Sequence, residues 1–263
     1  MTYKIAQLGI KEPAKLIIKM LSELKKLYKN EQFNPKLMGV FVRPDYLLRR
    51  GLYKIFSELS VNLSGNLLDV GCGAKPYQDL FDVDKYIGLE IDDKGDRNHK
   101  YADEFYDGKK MPFSDNSFDS VFSSEVLEHV FNPNEFLREI NRVTKDGGML
   151  LMSVPFTYRE HEQPYDFGRY TSFGLKYILS ENGFEVVECR KSVNGIWAIL
   201  QLLIIYLVNL RLVKNKYFNL IIALIFMIPI NIAGLVLSKV SSKDNDIYLN
   251  NIILAKKIKD IKE

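Results

Sequence analysis

The chain has 263 residues, of which 47% are hydrophobic and 26% charged, a composition that excludes a disordered or fibrous protein. Its formal net charge is only +3, so we expect no nucleic-acid partner. The two cysteines and three histidines show no metal-ligand or disulfide spacing: they are Cys72, Cys189, His99, His129 and His161. We therefore expect a reducing compartment and no dedicated metal site. The first 30 residues carry lysines throughout and no uninterrupted apolar stretch, so we expect no secretory signal.

A basic amphipathic helix is predicted over residues 13–29. Its apolar side chains recur at the spacing of one helical face. The segment also carries five lysines: Lys15, Lys19, Lys25, Lys26 and Lys29. Two interpretations remain open, because the lysines could face solvent while the helix packs on the main domain, or contact anionic lipids. We assign residues 1–58 to an N-terminal helical extension.

Short apolar runs alternate with helical stretches from residue 67 onwards. Buried strands are predicted at residues 67–70, 86–90, 121–123, 149–154, 184–188 and 247–255. Helices are predicted at residues 76–81, 134–143 and 173–180, and a turn at residues 146–148. This alternation predicts an α/β fold with a Rossmann-like, mostly parallel sheet and helices on both faces.

The stretch with the most chemical information begins where the first predicted strand ends. Asp69 closes that strand, and Gly71 and Gly73 then turn the chain with a geometry that lets a ligand approach the backbone. Glu90 ends the next predicted strand, where a carboxylate can accept both ribose hydroxyls of an adenosine. Pro76 replaces the third glycine of a dinucleotide fingerprint, which disfavours an NAD oxidoreductase. The pattern predicts a nucleoside cofactor at the carboxyl ends of the strands.

Four ordered motifs carry a resemblance to a known family. They are LLDVGCGAKPY at 67–77, YIGLEID at 86–92, ADEFYDGKKMPFSDNSFDSVFSSEVLEHV at 102–130 and LREINRVTKDGGMLLMSVP at 137–155. In these motifs the chain resembles the class I S-adenosylmethionine-dependent methyltransferases, specifically the methyltransferase-11-like domain. The resemblance implies a methyltransferase core at residues 59–192 that binds S-adenosylmethionine.

Matching by motif then assigns seven cofactor-binding residues. They are Asp69, Gly71 and Gly73 at the methionine end, Glu90 at the ribose, Asp103 beside the adenine, and Ser124 and Glu125 at the transferring methyl group. For Asp103 the alternative is a residue that only caps a turn.

A polar and aromatic loop at residues 155–172 follows the fifth predicted strand. Its place at the carboxyl end of the sheet predicts the acceptor site. The candidate substrate-binding residues are Tyr165, Arg169 and Tyr170. His161 and His129 are the candidate bases, since an imidazole titrates near neutral pH, and Asp166 is the candidate for orienting a histidine. The structural alternatives are a loop whose charges pair with one another and a His129 that only packs at a helix end.

This loop also points to an acceptor class. The stretch HEQPYDFGRYT, with ENGFEVVE after the next helix, is similar to methyltransferases of cell-surface polysaccharide and glycolipid synthesis. The similarity implies methyl transfer to a hydroxyl of a sugar or glycolipid. The alternatives are a quinone or other lipid-like acceptor, or an inactive, membrane-attached binding module.

Two uncharged apolar segments, residues 196–210 and 217–237, predict a helical hairpin inserted at residues 193–243, before a last core strand and tail at 244–263. If the hairpin spanned a membrane, Arg211, Lys214 and Lys216 would lie on the far side, contrary to the positive-inside tendency. We therefore expect a cytoplasmic protein that is peripheral or monotopic at the inner face of the cell membrane. A spanning hairpin and a soluble lid or dimer surface remain alternatives, and the oligomeric state is not predicted.

Overall fold

The computed structural model describes residues 22, 23, 28, 31–92, 101–210, 216–237 and 246–261, with side chains from residue 224 in the last helix. The chain divides into two compact units. We call Met1–Arg50 with Leu200–Lys239 the helical unit, and Gly51–Ile199 with Val240–Glu263 the sheet unit. The basic helix predicted over residues 13–29 falls almost entirely outside the described residues.

Seven strands form one sheet, in the order β3-β2-β1-β4-β5-β7-β6. The elements in chain order are α1 (Gly39–Val42), α2 (Tyr46–Leu59), β1 (Asn66–Val70), β2 (Lys85–Ile91), β3 (Glu104–Tyr106), β4 (Phe118–Ser124), α3 (Pro133–Val143), β5 (Thr144–Pro155), α4 (Ser172–Glu181), β6 (Phe184–Asn194), α5 (Ile196–Asn209), α6 (Lys216–Leu237) and β7 (Tyr248–Lys257). The five neighbouring strands β3, β2, β1, β4 and β5 pair in parallel, whereas β7 runs antiparallel to its neighbours β5 and β6. The predicted fold class is confirmed.

Strand β1 lies where the order of the strands in the sheet changes direction. It pairs with β2 on one side and with β4 on the other, so the order of the strands along the chain reverses here. Its side chains Leu67, Leu68 and Val70 have no exposed surface, because both faces of a parallel sheet are covered. In such sheets, ligands bind outside the carboxyl ends of the strands at the point of reversal.

Two local predictions are wrong. The helix predicted at residues 76–81 is a single 3-10 turn at Gln78–Leu80, next to Tyr77, whose buried ring packs edge-on against Phe56 with 4.9 Å between ring centroids. The turn predicted at residues 146–148 is part of β5, which begins directly after α3. The pairing of β4 with β5 shifts between Phe118 and Ser120, so the glycines there form an irregularity within the strand.

Two strands also differ from the prediction in extent. Strand β3 was not expected, because it has only three residues at the sheet edge and only its last side chain is buried. Strand β6 extends to Asn194 rather than ending at residue 188. Its pairing with β7 continues to Tyr248, although several of its side chains are exposed and give no alternating apolar pattern.

The helical unit contains α5 from Leu200 onwards and all of α6, the helices that cover the two apolar segments. Two of the amide side chains within these segments, Gln201 and Asn231, are buried and hydrogen-bonded to backbone. Gln201 donates to the Pro44 carbonyl at 2.6 Å and accepts from the Leu48 N–H at 3.2 Å, and Asn231 donates to the Val40 carbonyl at 2.9 Å. Within the part of the chain that is described, no helix is both long and apolar enough to cross a membrane.

Candidate functional site

The turn after β1 is built from two glycines with positive φ, +72° at Gly71 and +50° at Gly73. The N–H groups of Gly71 and Cys72 donate to the Leu89 carbonyl at 2.9 and 3.2 Å, which fixes the turn against β2. A Cβ at Gly71 would clash with the Val126 side chain, whereas a Cβ at Gly73 would meet no atom within 4 Å. Gly71 is therefore required by packing, and Gly73 leaves an open surface.

The carboxylate of Glu90 lies beside this open surface. One of its oxygens accepts the Gly73 N–H at 2.9 Å, and the other accepts the Ile91 N–H at 3.1 Å. The structure thus brings together Gly73 and Glu90, as the motif spacing predicts. An exposed surface with an adjacent carboxylate can accept hydroxyl donors from a ligand.

Asp103 lies next to the same two strands. Its carboxylate accepts the Gly88 N–H at 2.7 Å and pairs with Lys75. Burial alone would raise the pKa of Asp103, but the bond from Gly88 and the charge of Lys75 outweigh it and lower that pKa. A Cβ at Gly88 would clash with Lys75 and lie 2.8 Å from Cys72 Sγ, so this glycine makes room for the lysine. The sequence analysis missed Lys75, because no spacing rule links it to an acid beyond the next strand.

Asp69 occupies a different environment from the one predicted. Its side chain is buried, and Tyr86 donates its hydroxyl to it at 2.5 Å. The pKa of Asp69 is raised to about 7, mainly by burial. The hydrogen bond from Tyr86 lowers this pKa, and the charge of Glu90 raises it. The carboxylate therefore lies beneath the glycine turn and ties β1 to β2.

These residues fit the nucleoside cofactor that the resemblance implies. Gly73 provides the open surface, and the carboxylates of Glu90 and Asp103 flank the turn. Ribose hydroxyls and an adenine amino group are hydrogen-bond donors, which is the chemistry that carboxylates complement.

Ser124 is the last residue of β4 and Glu125 follows it, and side chains of two other strands contact this pair. Ser153 lies 3.2 Å from the Ser124 hydroxyl and donates to Glu125 at 2.7 Å. Asn250, from β7, donates to the second oxygen of Glu125 at 2.8 Å, and Glu125 itself has a φ of +57°. The predicted pair is therefore tied to the sheet, and Asn250 was missed because its strand lies far away in the sequence.

In the loop after β5, Asp166 and Arg169 form a bidentate ion pair with N–O distances of 2.5 and 2.7 Å. The hydrogen bonds from Arg169 hold the pKa of Asp166 well below its usual range. Arg169, a candidate substrate-binding residue, thus pairs with Asp166, as in the alternative of internally paired charges. Asp166 also accepts the His161 N–H at 2.8 Å and lies 3.2 Å from its Nδ1, so the predicted orienting contact is present.

His129 and His161 come together around Glu128, a residue that the sequence analysis missed. Glu128 is fully buried, and its Oε1 lies 3.8 Å from His129 Nε2 and 4.0 Å from His161 Nε2. The two imidazole rings meet edge to face with 4.8 Å between centroids. Burial and the charge of Glu125 raise the pKa of Glu128 well above its usual range. Its position beside His129 in the LEHV motif was visible in the sequence, but its burial was not.

The two tyrosines predicted to bind the substrate lie in different environments. Tyr165 is exposed, and its carbonyl lies 2.6 Å from His129 Nδ1. Tyr170 is half-buried against the hydrophobic core, and its carbonyl accepts from Asn251 at 2.8 Å. Tyr165 is therefore available to an acceptor, whereas Tyr170 mainly packs.

The segment after β4 joins the glycine turn to the acceptor loop. Val126 is the side chain packed on Gly71. Two residues further on, the Glu128 carbonyl accepts the N–H groups of Phe167 and Gly168 at 2.7 and 3.1 Å. All the predicted site residues accordingly lie in the sheet unit, around the carboxyl ends of its strands.

Comparisons with known proteins agree with this picture. Residues 68–152 match the family model described as a methyltransferase domain. An uncharacterized methyltransferase of Mycolicibacterium vanbaalenii is 36% identical over 96 residues, which are 33% of this chain and 38% of the relative. A demethylmenaquinone methyltransferase of Renibacterium salmoninarum is 37% identical over 73 residues, 28% of each chain. The chain thus spans well under half the length of these curated relatives.

Solved structures extend the likeness to most of the chain. An S-adenosylmethionine-dependent methyltransferase of Archaeoglobus fulgidus matches with a TM-score of 0.51 and 16% identity over 86% of this chain and 97% of the other. A phosphoethanolamine N-methyltransferase of Haemonchus contortus, solved with phosphomonomethylethanolamine and S-adenosylhomocysteine, also has a TM-score of 0.51 and 16% identity over 90% of this chain and 58% of the other. At such identities the likeness shows the fold. The chain therefore has the Rossmann-like methyltransferase fold, and its residues 68–152 match the methyltransferase domain family.

Proposed function

We propose that the sheet unit transfers a methyl group from S-adenosylmethionine to a hydroxyl of a sugar or glycolipid. The observation that carries this proposal is the packing of Val126 on Gly71, because the segment that contains Val126 also holds the loop after β5 through the Glu128 carbonyl. When bound, S-adenosylmethionine supplies an electrophilic methyl group on its sulfonium. The protein's task is then to align the acceptor oxygen with that methyl group.

On the cofactor side, Gly73 admits the ligand close to the backbone because its Cβ position is open. Glu90 would exchange its hydrogen bonds from the Gly73 and Ile91 N–H groups for bonds from the ribose hydroxyls. Asp103, kept ionised by Gly88 and Lys75, would accept from the adenine amino group.

On the acceptor side, a hydroxyl must lose its proton as it is methylated. The cluster of Glu128, His129 and His161 supplies basic atoms for that proton. Asp166 fixes His161 through its backbone N–H and its Nδ1, so the other ring nitrogen faces Glu128. Tyr165 is the exposed aromatic residue of the loop and would cover a sugar ring.

A quinone or other lipid-like acceptor is the second candidate. It is favoured by the similarity to the demethylmenaquinone methyltransferase of Renibacterium salmoninarum, 37% identical over 73 residues. The two candidates differ in which compound is methylated, so analysis of the product separates them. Incubation with methyl-labelled S-adenosylmethionine and panels of glycans, glycolipids and demethylated quinones, followed by mass spectrometry, identifies the methylated compound.

Cofactor binding is tested by calorimetric titration of the full chain with S-adenosylmethionine. We expect saturable binding that is lost in Glu90→Ala. The matched control is Glu181→Ala, which removes an exposed glutamate at the end of α4. Absence of binding by the folded wild-type chain, or equal binding by Glu90→Ala, would contradict the proposal.

We further propose that the helical unit attaches the protein to a membrane surface. It exposes a set of large apolar side chains: Leu37, Met38, Phe41, Leu203, Tyr206, Ile225, Phe226, Ile232, Val236 and Leu237. Exposed apolar surface of this extent is typical of sites that contact a membrane or a partner. The lysines predicted on one helix at residues 13–29 would add attraction to anionic lipids.

Flotation with anionic and with neutral lipid vesicles tests this attachment. We expect binding to anionic vesicles that falls in the double variant Phe41→Ser, Phe226→Ser. The control is Phe173→Ser, since Phe173 is 81% exposed but belongs to the sheet unit. Equal flotation of both variants would exclude the helical unit as the attachment site.

A further inference from the structure

The side chains of Glu128, His129 and His161 converge in a way that their positions in the sequence do not reveal. One ligand atom from each of the three, a carboxylate oxygen or a ring nitrogen, lies within 4.8 Å of the other two. Glu128 Oε1 is 3.8 Å from one Nε2 and 4.0 Å from the other. Two imidazoles and a carboxylate form a donor set that divalent transition metals bind.

The carboxylate of Glu128 is unusual because it is buried without a hydrogen-bonded side-chain partner. The residue has no exposed surface, and neither of its side-chain oxygens has a hydrogen-bond partner among the described residues. A buried carboxylate without partners is costly, and native proteins pair such groups or use them to coordinate metals. Glu128 Oε1 instead faces the two ring nitrogens, 3.8 Å from His129 Nε2 and 4.0 Å from His161 Nε2.

The Nδ1 atoms of both rings, which are not the nitrogens nearest Glu128, already contact other groups. His129 Nδ1 lies 2.6 Å from the Tyr165 carbonyl, which can only accept, so this nitrogen is the donor. His161 Nδ1 lies 3.2 Å from Asp166 Oδ2 and 3.5 Å from a guanidinium nitrogen of Arg169. A carbonyl or carboxylate on one nitrogen of a histidine is the usual support for a metal on the other. In neutral His129, Nε2 therefore offers a lone pair toward Glu128, and neutral His161 does so in the tautomer whose Nδ1–H faces Asp166.

The charges around the cluster favour a cation. Asp166 is neutralised by its bidentate pair with Arg169, whereas Glu125 adds a negative charge near Glu128.

We propose that Glu128, His129 and His161 form a binding site for one divalent transition-metal ion, with Zn²⁺ as its probe. This assignment replaces the expectation, based on residue spacing alone, that there is no dedicated metal site. Ligands about 2.1 Å from a tetrahedral Zn²⁺ lie about 3.4 Å apart. The two carboxylate–nitrogen separations of 3.8 and 4.0 Å therefore need to shorten by about half an ångström, and a separation at the 4.8 Å limit of the cluster by about 1.4 Å. Three protein ligands leave a coordination position open. In the part of this inference that rests on the proposed function, an ion bound there would lower the pKa of an acceptor hydroxyl at that position, and the proton would leave to solvent rather than to the three ligands.

The test measures metal binding without S-adenosylmethionine or an acceptor, so its outcome is independent of methyl transfer. The full chain is stripped with a chelator, dialysed and titrated with Zn²⁺ by calorimetry, and the bound metal is counted by elemental analysis. We expect one Zn²⁺ per chain, with affinity lowered about 100-fold or more in Glu128→Gln and His161→Ala, and about 10-fold in the supporting variant Asp166→Asn. The control is His99→Ala, which removes the third histidine of the sequence and keeps the affinity of the wild type.

Two further measurements guard against variants that fold poorly. Zn²⁺ should raise the Tm of the wild type and of His99→Ala but not that of Glu128→Gln. Co²⁺ should give visible absorption bands in the wild type that Zn²⁺ abolishes. Absence of binding by the folded wild type, equal affinity in Glu128→Gln, or tighter binding of Mg²⁺ than of Zn²⁺ would each overturn the assignment.

Discussion

The glycine turn and the histidine cluster lie at the carboxyl ends of two paired strands, β1 and β4, but they are constructed differently. The turn is a backbone feature: Gly71 and Gly73 have positive φ, and an open surface lies over Gly73. The cluster is made of side chains, with Glu128 fully buried and the loop charges paired with one another. The first region can receive a ligand as it stands. The second is a set of acid and base groups that three separate segments bring together.

The largest expected effect on folding separates the roles of the two glycines. Gly71→Ala forces a Cβ into Val126 at a φ of +72°. We expect a loss of about 3 kcal/mol in the free energy of unfolding, from overpacking and from the left-handed backbone together. Urea unfolding measures it. The control is Gly174→Ala in α4, where a Cβ meets only Thr171 at 3.4 Å and stability should not fall. Equal stability of the two variants would mean that Val126 moves aside without cost.

How far the sequence predicts each region follows from the same difference. The motif from Asp69 to Gly73 with Glu90 is local, so strand ends and glycine spacing were enough to locate it, although they did not show that Asp69 is buried under Tyr86. The cluster depends on contacts between distant segments. The sequence identified His129, His161 and Asp166 as candidates, but it could not show that the carboxylate of Glu128 is buried between the two rings.

The same limit applies to the sheet. Its parallel centre follows from apolar runs between helices, and these were predicted. The turn predicted at residues 146–148 failed because the glycines there belong to a strand irregularity, which depends on pairing with β4 rather than on local preference. The pairing of Lys75 with Asp103 likewise could not be predicted from the sequence, since it depends on the space that Gly88 leaves for the lysine.

A second prediction concerns the buried acid under the glycine turn. The pKa of Asp69 is about 7 in the folded chain, raised mainly by burial, against an ordinary value near 3.8. A raised folded pKa means that the native state holds the proton more tightly, so stability is full below the unfolded pKa and is lost as the pH rises through 7. Between pH 5 and pH 8 this carboxyl should remove about 2–3 kcal/mol from the free energy of unfolding.

Asp69→Asn measures that contribution, because its amide stays neutral and its oxygen can still accept from Tyr86. We expect urea unfolding of the variant to be less dependent on pH between 5 and 8 than that of the wild type. Asp79→Asn, at a mostly exposed position in the 3-10 turn, is the control and should follow the wild type. Parallel pH profiles for all three proteins would contradict the raised pKa.

A third prediction sharpens the comparison from the side of the loop. Asp166→Asn removes the carboxylate that holds Arg169 and His161. We expect a loss of about 1–2 kcal/mol in stability, since Arg169 keeps part of its contact with water. Affinity for S-adenosylmethionine should be unchanged, because this residue belongs to the acceptor side, while turnover falls.

The matched control for the loop is Asp115→Asn. Asp115 also pairs with an arginine, Arg142, at 2.7 Å, but its side chain is 71% exposed. Such a surface pair should contribute less than about 0.5 kcal/mol. If Asp166→Asn weakened cofactor affinity as much as turnover, the separation of the two regions would be lost.

The smallest effect on folding is expected at Gly73, where a substitution should weaken cofactor binding more than it lowers stability. Gly73→Ala has no steric conflict, so its cost is the left-handed φ of +50°, about 1 kcal/mol. The added methyl group, however, occupies the surface that the proposed cofactor would approach. Calorimetry should therefore show affinity for S-adenosylmethionine lowered by about tenfold or more, equivalent to about 1.4 kcal/mol, in a chain that still folds. Unchanged affinity would place the ligand elsewhere on the turn. The opposite ranking of Gly71→Ala and Gly73→Ala in stability and in binding is what distinguishes a packing glycine from a binding one.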